Sequence, residues 1–440
     1  MVGKFSYLLF SQKKIDMKHK LLLLLLIIPS FSFAQINFGH YFKDHSMRFD
    51  FLLGGNSSTE KVYPEQIKKE KFWAGSKKNL IDPFNYGNYR FRVFDEKLDS
   101  LIFAKGFSTL FEEWQSTAEA KEIDKTFYQT AVFPYPKQKI RLEIDSRQRD
   151  GIFKNIYTTS IDPDNYFILD ESPVQFETFE VLNNGKPENK VDIVILAEGY
   201  TLSEMEKFKE DAKRVTQYLF DEEPFKSEKE KFNITAVLTP SLESGTDIPG
   251  EHVYKNTCFN STFYTFDVSR YLTTSDMRPI LDAAANVPYD QIYVLVNAER
   301  YGGGGFYNFL TVCTADNDLT KEVFVHEFGH GFAGLADEYY DSEVAYDEFY
   351  NQKIEPWEPN ITTLVDFDSK WKNMVDKKVE IPTPRDLKNS DKVGVYEGGG
   401  YSSKGIYSPF IDCRMKSNVA KHFCPVCQES IKKVISFYTE

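Results

Sequence analysis

The sequence predicts an α+β protein: an N-terminal antiparallel β-sandwich, then a second domain with a twisted mixed sheet, a histidine-bearing helix and an irregular C-terminal subdomain. Three observations carry this reading. Between about residues 37 and 160, short alternating or apolar runs recur between Gly, Pro, Asn and Asp, the rhythm of antiparallel strands joined by turns. Beyond about residue 190, apolar runs of strand length alternate with stretches of helical periodicity, the order that builds a sheet with crossover helices. Finally, His326-Glu327-Phe328-Gly329-His330 lies in an apolar stretch of helical character, where residues four apart share one face.

Taken in order, strands are expected at Met47–Leu53, Tyr89–Phe94, Leu101–Phe107, Phe127–Phe133 and Lys139–Ile144. Arg90, Arg92, Arg141 and Glu143 alternate with Phe91, Val93, Leu142 and Ile144, as half-solvated strands require. Nothing in this part has catalytic spacing. Asp162-Pro163-Asp164 and Ser172-Pro173 then form a breaker-rich passage, which places the domains at 35–165 and 166–440. Val191–Leu196 reads as a buried strand, and Thr201-Leu202-Ser203-Glu204 as a capping box opening a helix on Met205, Phe208, Ala212, Val215 and Leu219. A strand at Phe232–Leu238, a helix around Ser275–Ala285 and a strand at Gln291–Asn297 follow.

Tyr301-Gly302-Gly303-Gly304-Gly305 leads into Phe306–Thr314. The run lacks the Lys-Ser/Thr of a phosphate-binding loop and does not open a helix, so it is not read as a nucleotide site. It reads instead as a glycine-rich approach to an edge strand above the histidine helix, where an extended peptide can add as a further strand. After the helix, 341–391 is rich in charge, Pro and Trp without a regular period, and a last helix runs from about Pro425 to Phe437.

The spacing His326-x-x-x-His330 lets both imidazoles reach one cation, half of a tetrahedral zinc shell, and Glu327 can stand beside a water there as general base. Asp318-Leu319-Thr320 offers caps, and Val323, Phe324, Phe328 and Phe332 give the helix its apolar body. Gly329 and Gly331 are poor helix formers, which predicts that another backbone or a substrate approaches closely. A catalytic zinc requires a third protein ligand. Gly334 can end the helix in a left-handed turn and send the chain back toward the metal, leaving Asp337 and Glu338 as candidates. This resembles the metzincin pattern with one extra residue before the glycine. Asp337 keeps the glycine-to-ligand spacing and is preferred; Glu338 would then brace a ligand histidine.

Lys18-His19-Lys20, the apolar run Leu21–Ile28, Pro29 and Ser32-Phe33-Ala34 before Gln35 have the order of a secretory signal peptide over residues 1–34, with Met17 as an alternative start. The run is shorter than the roughly 20 apolar residues of a membrane span. A secreted, periplasmic or cell-surface protein is expected. The first 34 residues carry five lysines and one aspartate, so the formal charge of −13 becomes −17 without them; such an acidic chain is a poor nucleic-acid binder. Of five cysteines (Cys258, Cys313, Cys413, Cys424, Cys427) an odd one must stay outside any intramolecular disulfide set. Cys424-Pro425-Val426-Cys427 suits a structural disulfide or buried thiols, a second metal with Cys413 and His422, or a redox pair.

Asp192–Tyr200, Tyr301–Phe306, His326–Tyr339, Cys413-Arg414-Met415 and Phe423–Cys427 together resemble the IgA-peptidase family of zinc metallopeptidases. The resemblance covers about residues 185–440, and the β segment before it resembles that family's N-terminal domain. It implies a metzincin-like zinc endopeptidase acting on protein substrates, with Zn²⁺ on His326, His330 and Asp337 and with Met415 in the methionine turn beneath the metal. Antibody as substrate does not transfer, because no long extra recognition modules are present. Two other classes compete with this reading: an adhesion protein on a dead peptidase fold, which would typically lose Glu327 or a histidine, and a non-proteolytic zinc amidohydrolase, which an open edge strand disfavours.

Overall fold

The computed structural model describes residues 36–340 and 349–440. The expected signal peptide at 1–34 and its cleavage before Gln35 lie outside the described residues, as does the 341–348 part of the irregular insert. Among the described residues no helix is long and apolar enough to cross a membrane.

A short helix α1 (Phe38–Tyr41) leads into β1 (Phe42–Gly55), which pairs with β2 (Glu60–Glu70) and β5 (Lys125–Pro136) in one antiparallel sheet. The second sheet has the order β4 (Ser100–Phe107), β3 (Tyr89–Asp95), β6 (Ile140–Arg147), β7 (Phe153–Ile161), again antiparallel. Aromatic side chains join the two layers, Phe91 to Phe133 at 6.2 Å and Phe49 to Tyr157 at 6.0 Å between ring centroids. The strands absent from the sequence reading are sheet edges. β2 carries Pro64 beside a break in register and many charges, features that edge strands tolerate and central strands do not. β7 buries only Ile161 of its nine residues. Helix α2 (Leu110–Gln115), also unforeseen, is one and a half turns capped by Thr109 and buries Phe111 and Trp114.

The following sheet has the order β12-β13-β11-β9-β10-β8: β8 (Glu177–Leu182), β9 (Val191–Glu198), β10 (Phe232–Leu238), β11 (Gln291–Val296), β12 (Gly303–Phe306) and β13 (Leu310–Thr314). The inner four are parallel and the outer two antiparallel to their neighbours. Every residue of β9, β11 and β13 is buried, which is why these segments read as unbroken apolar runs. Thr201 and Glu204 form the expected capping box ahead of α3 (Met205–Phe220), and α4 (Met277–Ala284) precedes β11. Helix α5 (Thr320–Ala333) packs between α3 and α6 (Pro425–Thr439), with Phe225, Phe328, Phe332 and Phe423 in one aromatic cluster.

Two expectations change here. The glycine run is not an approach to the edge strand but is the edge strand itself, and 306–314 is split by a turn at Asn308 (φ 53°). The start of α5 has Leu319 at its cap position with no side-chain cap; Thr320 Oγ1 instead donates to the Thr314 carbonyl, tying the helix start to β13.

The N-terminal sheets are bonded into the rest. Arg48, fully buried, bridges Asp50, Glu70 and Asp282 of α4, and Lys68 reaches the same Asp282. Asn308 Nδ2 donates to the Gly106 carbonyl at 2.9 Å, and Ser108 N to the Tyr307 carbonyl at 2.9 Å. These last two bonds bring the end of β4 and the start of α2 to the edge of the cleft described next.

Candidate active site

Helix α5 buries Val323, Phe324, Phe328 and Phe332 and turns His326, Glu327 and His330 toward a cleft. Each imidazole is held at its back nitrogen. Nδ1 of His326 lies 2.9 Å from the Arg414 carbonyl and Nδ1 of His330 lies 2.5 Å from the Leu335 carbonyl. A carbonyl only accepts, so both Nδ1 atoms carry the proton and both Nε2 atoms face forward. Those two Nε2 atoms are 3.0 Å apart.

The helix ends where the spacing predicts. Gly334 adopts φ 61°, ψ 31°, and its N–H still bonds back to His330 O. A side chain there would be strained by the left-handed backbone and would also meet Trp357 at 2.8 Å. The reversal delivers Asp337, whose Oδ1 lies 3.1 Å from His326 Nε2 and 3.3 Å from His330 Nε2. Its other oxygen accepts from Tyr401 OH at 2.5 Å, and its carbonyl from Gly400 N at 2.8 Å. Glu338 turns the opposite way: Oε1 accepts from Asn360 Nδ2 (3.0 Å) and from the Cys427 thiol (3.2 Å). It braces neither histidine, because backbone carbonyls already do so.

Two neutral imidazole nitrogens and a carboxylate oxygen, all acceptors, thus point at one another across 3.0–3.3 Å. Asp337 Oδ1 is buried and has no hydrogen-bond partner. Such an arrangement repels itself unless a cation sits within it. The spacing matches the edge of a tetrahedron of zinc ligands at about 2.0–2.1 Å, which is about 3.3 Å. Without a metal, a proton takes that role. Burial opposes the charged form of His330, but the Asp337 carboxylate outweighs it and pushes the pKa up to about 9. Burial likewise opposes the Asp337 charge, and His330 and His326 hold that carboxyl well below its ordinary value. Glu327 has a carboxylate oxygen within 4.8 Å of both histidine donors. Burial lifts its pKa, with the two imidazoles pulling the other way, the direction that makes a carboxylate a stronger base.

The helix glycines have clear causes, though not the ones their spacing suggested. A Cβ at Gly329 would meet Met415 Sδ at 2.8 Å, and one at Gly331 would meet Thr311 Oγ1 at 2.1 Å. Side chains, rather than another backbone or a substrate, press on α5 at these points. Met415 therefore lies directly under the histidine turn. The close backbone approach occurs at β12, where a Cβ on Gly305 would sit 2.4 Å from the Glu327 carbonyl and one on Gly303 would strike the Glu327 side chain at 2.8 Å.

The cleft has a volume of about 420 Å³. One wall is β12 with Tyr301 and Tyr271; another is Tyr339, which hydrogen-bonds Arg270. Asn88, Ser108, Glu112 and Glu113 from the N-terminal part complete it. Glu112 is raised to about 8 by burial and by Glu113 beside it. Tyr271, Asn88, Ser108, Glu112, Glu113 and Tyr401 carry no signal in the sequence, since they come from separate elements with no common motif. Of the cysteines, Cys413, Cys424 and Cys427 are buried together and all five are free thiols. His422 is exposed and stands outside that cluster.

Against known families, residues 179–390 and 385–435 match IgA Peptidase M64, and residues 37–158 match the Peptidase M64 N-terminus. No curated protein matches the chain.

Proposed function

The chain belongs to the IgA peptidase M64 family, and on that premise we propose that it is an exported zinc endopeptidase cleaving extended stretches of protein or glycoprotein. The observation that carries the metal reading is the convergence of His326 Nε2, His330 Nε2 and Asp337 Oδ1, three acceptors with no proton to share among them at full deprotonation. A Zn²⁺ on these atoms supplies Lewis acidity toward the scissile carbonyl and lowers the pKa of water. The chain's own residues supply the rest. Glu327 takes the proton from the attacking water as the C–O bond forms and returns it to the amine as the C–N bond breaks. The Arg414 and Leu335 carbonyls fix the imidazole rings, and Tyr401 fixes the carboxylate.

Substrate placement follows from β12. Thr314 N bonds to Gly302 O, so the alternation of an antiparallel pair turns the N–H and C=O of Gly303 and Gly305 away from β13. Tyr271 forms a parallel bridge with Gly303. A peptide adding to this edge would therefore bond at Gly305, beside Glu327, with backbone bonds giving sequence-tolerant affinity. Export is supported by the basic head, apolar run and small-x-small site before Gln35. The family matches at 37–158 and 179–435 fall inside the proposed domains 35–165 and 166–440.

Digestion of casein by the purified mature protein tests the proposal. Removal of metal by a chelator should stop cleavage and stoichiometric Zn²⁺ should restore it. Undiminished cleavage by protein shown to be metal-free would overturn the reading.

A further inference from the structure

The buried cysteine cluster lies outside the hydrolytic machinery. Cys413, Cys424, Cys427 and Glu338 each offer a donor atom, and all four donors lie within 4.8 Å of one another. Cys413 Sγ is 3.8 Å from Cys427 Sγ, and Cys427 Sγ is 3.2 Å from Glu338 Oε1. A tetrahedral shell with sulfur at about 2.3 Å from zinc spaces its sulfurs about 3.8 Å apart. Glu338 is fully buried, and its Oε2 has no hydrogen-bond partner. A carboxylate so placed is costly unless it is paired or binds a cation.

The local architecture aims backbone N–H donors at two of the sulfurs. Cys424 is the N-cap of α6, and Cys424-Pro425-Val426-Cys427 puts the second sulfur in the first helical turn. Cys424 N donates to Cys413 Sγ at 3.2 Å, and Cys427 N to Cys424 Sγ at 3.5 Å. These N–H groups and the helix N-terminus place positive potential where anionic sulfur would gather. A disulfide within the cluster would engage two sulfurs and leave a third thiol facing the unpartnered carboxylate. A soft-to-borderline divalent cation engages all four.

We propose that Cys413, Cys424, Cys427 and Glu338 form a second, structural site for a zinc-type divalent cation, separate from the His326, His330 and Asp337 centre. Its position explains what it would do. Glu338 is the residue after Asp337, and its N–H bonds to the Met415 carbonyl at 2.8 Å. Arg414, next to Cys413, holds His326 through its carbonyl. The cation would tie α6, the 413–416 loop and the turn after Gly334 into one piece, and so position the hydrolytic ligands without touching substrate. Binding requires deprotonated sulfur and releases the thiol protons.

The test uses the full mature chain. Wild type dialysed against Zn²⁺ should hold about two equivalents by elemental analysis, and His330→Ala about one. Cobalt-loaded His330→Ala should show thiolate-to-cobalt charge-transfer absorption in the near ultraviolet, lost in the His330→Ala/Cys427→Ser double variant. Because a cysteine substitution can disturb folding for other reasons, a second measurement uses wild type itself: an organomercurial that caps thiols should release one zinc equivalent. Intact mass of the non-reduced native protein lower by two hydrogens, marking a disulfide among these cysteines, would overturn the proposal. So would a wild type that binds one zinc only and keeps it after thiol capping. Either result leaves the hydrolytic centre standing, whereas failure of that centre would leave the thiolate spectrum intact.

Discussion

Replacing Gly305 with alanine probes the closest approach in the cleft. The added Cβ would lie 2.4 Å from the Glu327 carbonyl oxygen and 2.9 Å from His330 Cβ. The first is helix backbone and cannot rotate aside, so β12 and α5 must separate by roughly 1 Å to restore ordinary contact. Overpacking of this kind costs about 1–3 kcal/mol of stability. Displacement of about 1 Å between general base and bound peptide can lower turnover about 10²-fold, or ~2.7 kcal/mol in the barrier. Gly304 is the internal control, because its Cβ would point the other way and meet Leu272 O at 3.0 Å and Tyr271 Cε2 at 3.1 Å. Gly305→Ala should therefore lower kcat/KM on a quenched peptide by roughly 10–100-fold with metal retained, and Gly304→Ala by less than about tenfold. Thermal melts and elemental analysis on both proteins separate misfolding from misplacement. Wild-type activity in Gly305→Ala, or a larger loss in Gly304→Ala, would refute the placement of β12 against the catalytic helix.

Further outcomes follow from the same geometry. Burial opposes the charge on His330, but Asp337 and Glu327 outweigh it and raise the pKa to about 9 in the metal-free protein, with His326 Nε2 facing it at 3.0 Å; its proton is therefore present at pH 7 and must leave on metal binding. Zinc uptake at pH 7 should release about one more proton in wild type than in His330→Ala, and the apparent affinity of this centre should rise about tenfold per pH unit between about 6 and 8. Calorimetry in buffers of different ionisation enthalpy reads this directly, and equal proton release by both proteins would contradict it. By the same sign, stability that the protonated His330 lends the metal-free protein is fully present below about 6.5 and lost as pH rises through about 9; metal-free melts across that window should fall. Tyr401→Phe removes the 2.5 Å bond to Asp337 Oδ2 and should weaken zinc binding by about 10–100-fold in chelator competition, while an unchanged affinity would deny Tyr401 its positioning role.

Residues whose signal is local and periodic were legible. The strand Val191–Glu198 is buried along its whole length and so reads as apolar throughout. The Thr201/Glu204 capping box and the left-handed Gly334 depend on neighbours within four residues. His326 and His330 share a face by helical spacing alone. Features without a local signal depend on distant partners. Glu180 and Lys154 lie in edge strands where one side faces water, so charge and exposure erase the alternation. Asn88, Glu112 and Glu113 reach the cleft only because Ser108 and Asn308 fasten the N-terminal sheets to its rim. Glu338 looked like a rival to Asp337 because adjacent residues share sequence context, but in extended chain adjacent side chains point to opposite sides. One meets the histidines and the other the cysteines. Glycines 329 and 331 correctly signalled close approach, yet nothing in the sequence identifies Met415 or Thr311 as the approaching atoms.

The central claim is that Glu327 moves protons while His326, His330 and Asp337 hold the metal. Glu327→Gln keeps the side chain's shape and removes its basicity, so it separates these roles. Zinc content and kcat should be measured on the same preparation. The account predicts wild-type zinc with turnover lowered by at least about 10²-fold across pH 6–9. Loss of zinc from the variant would make Glu327 a ligand, and near-normal turnover would remove it from the chemistry altogether.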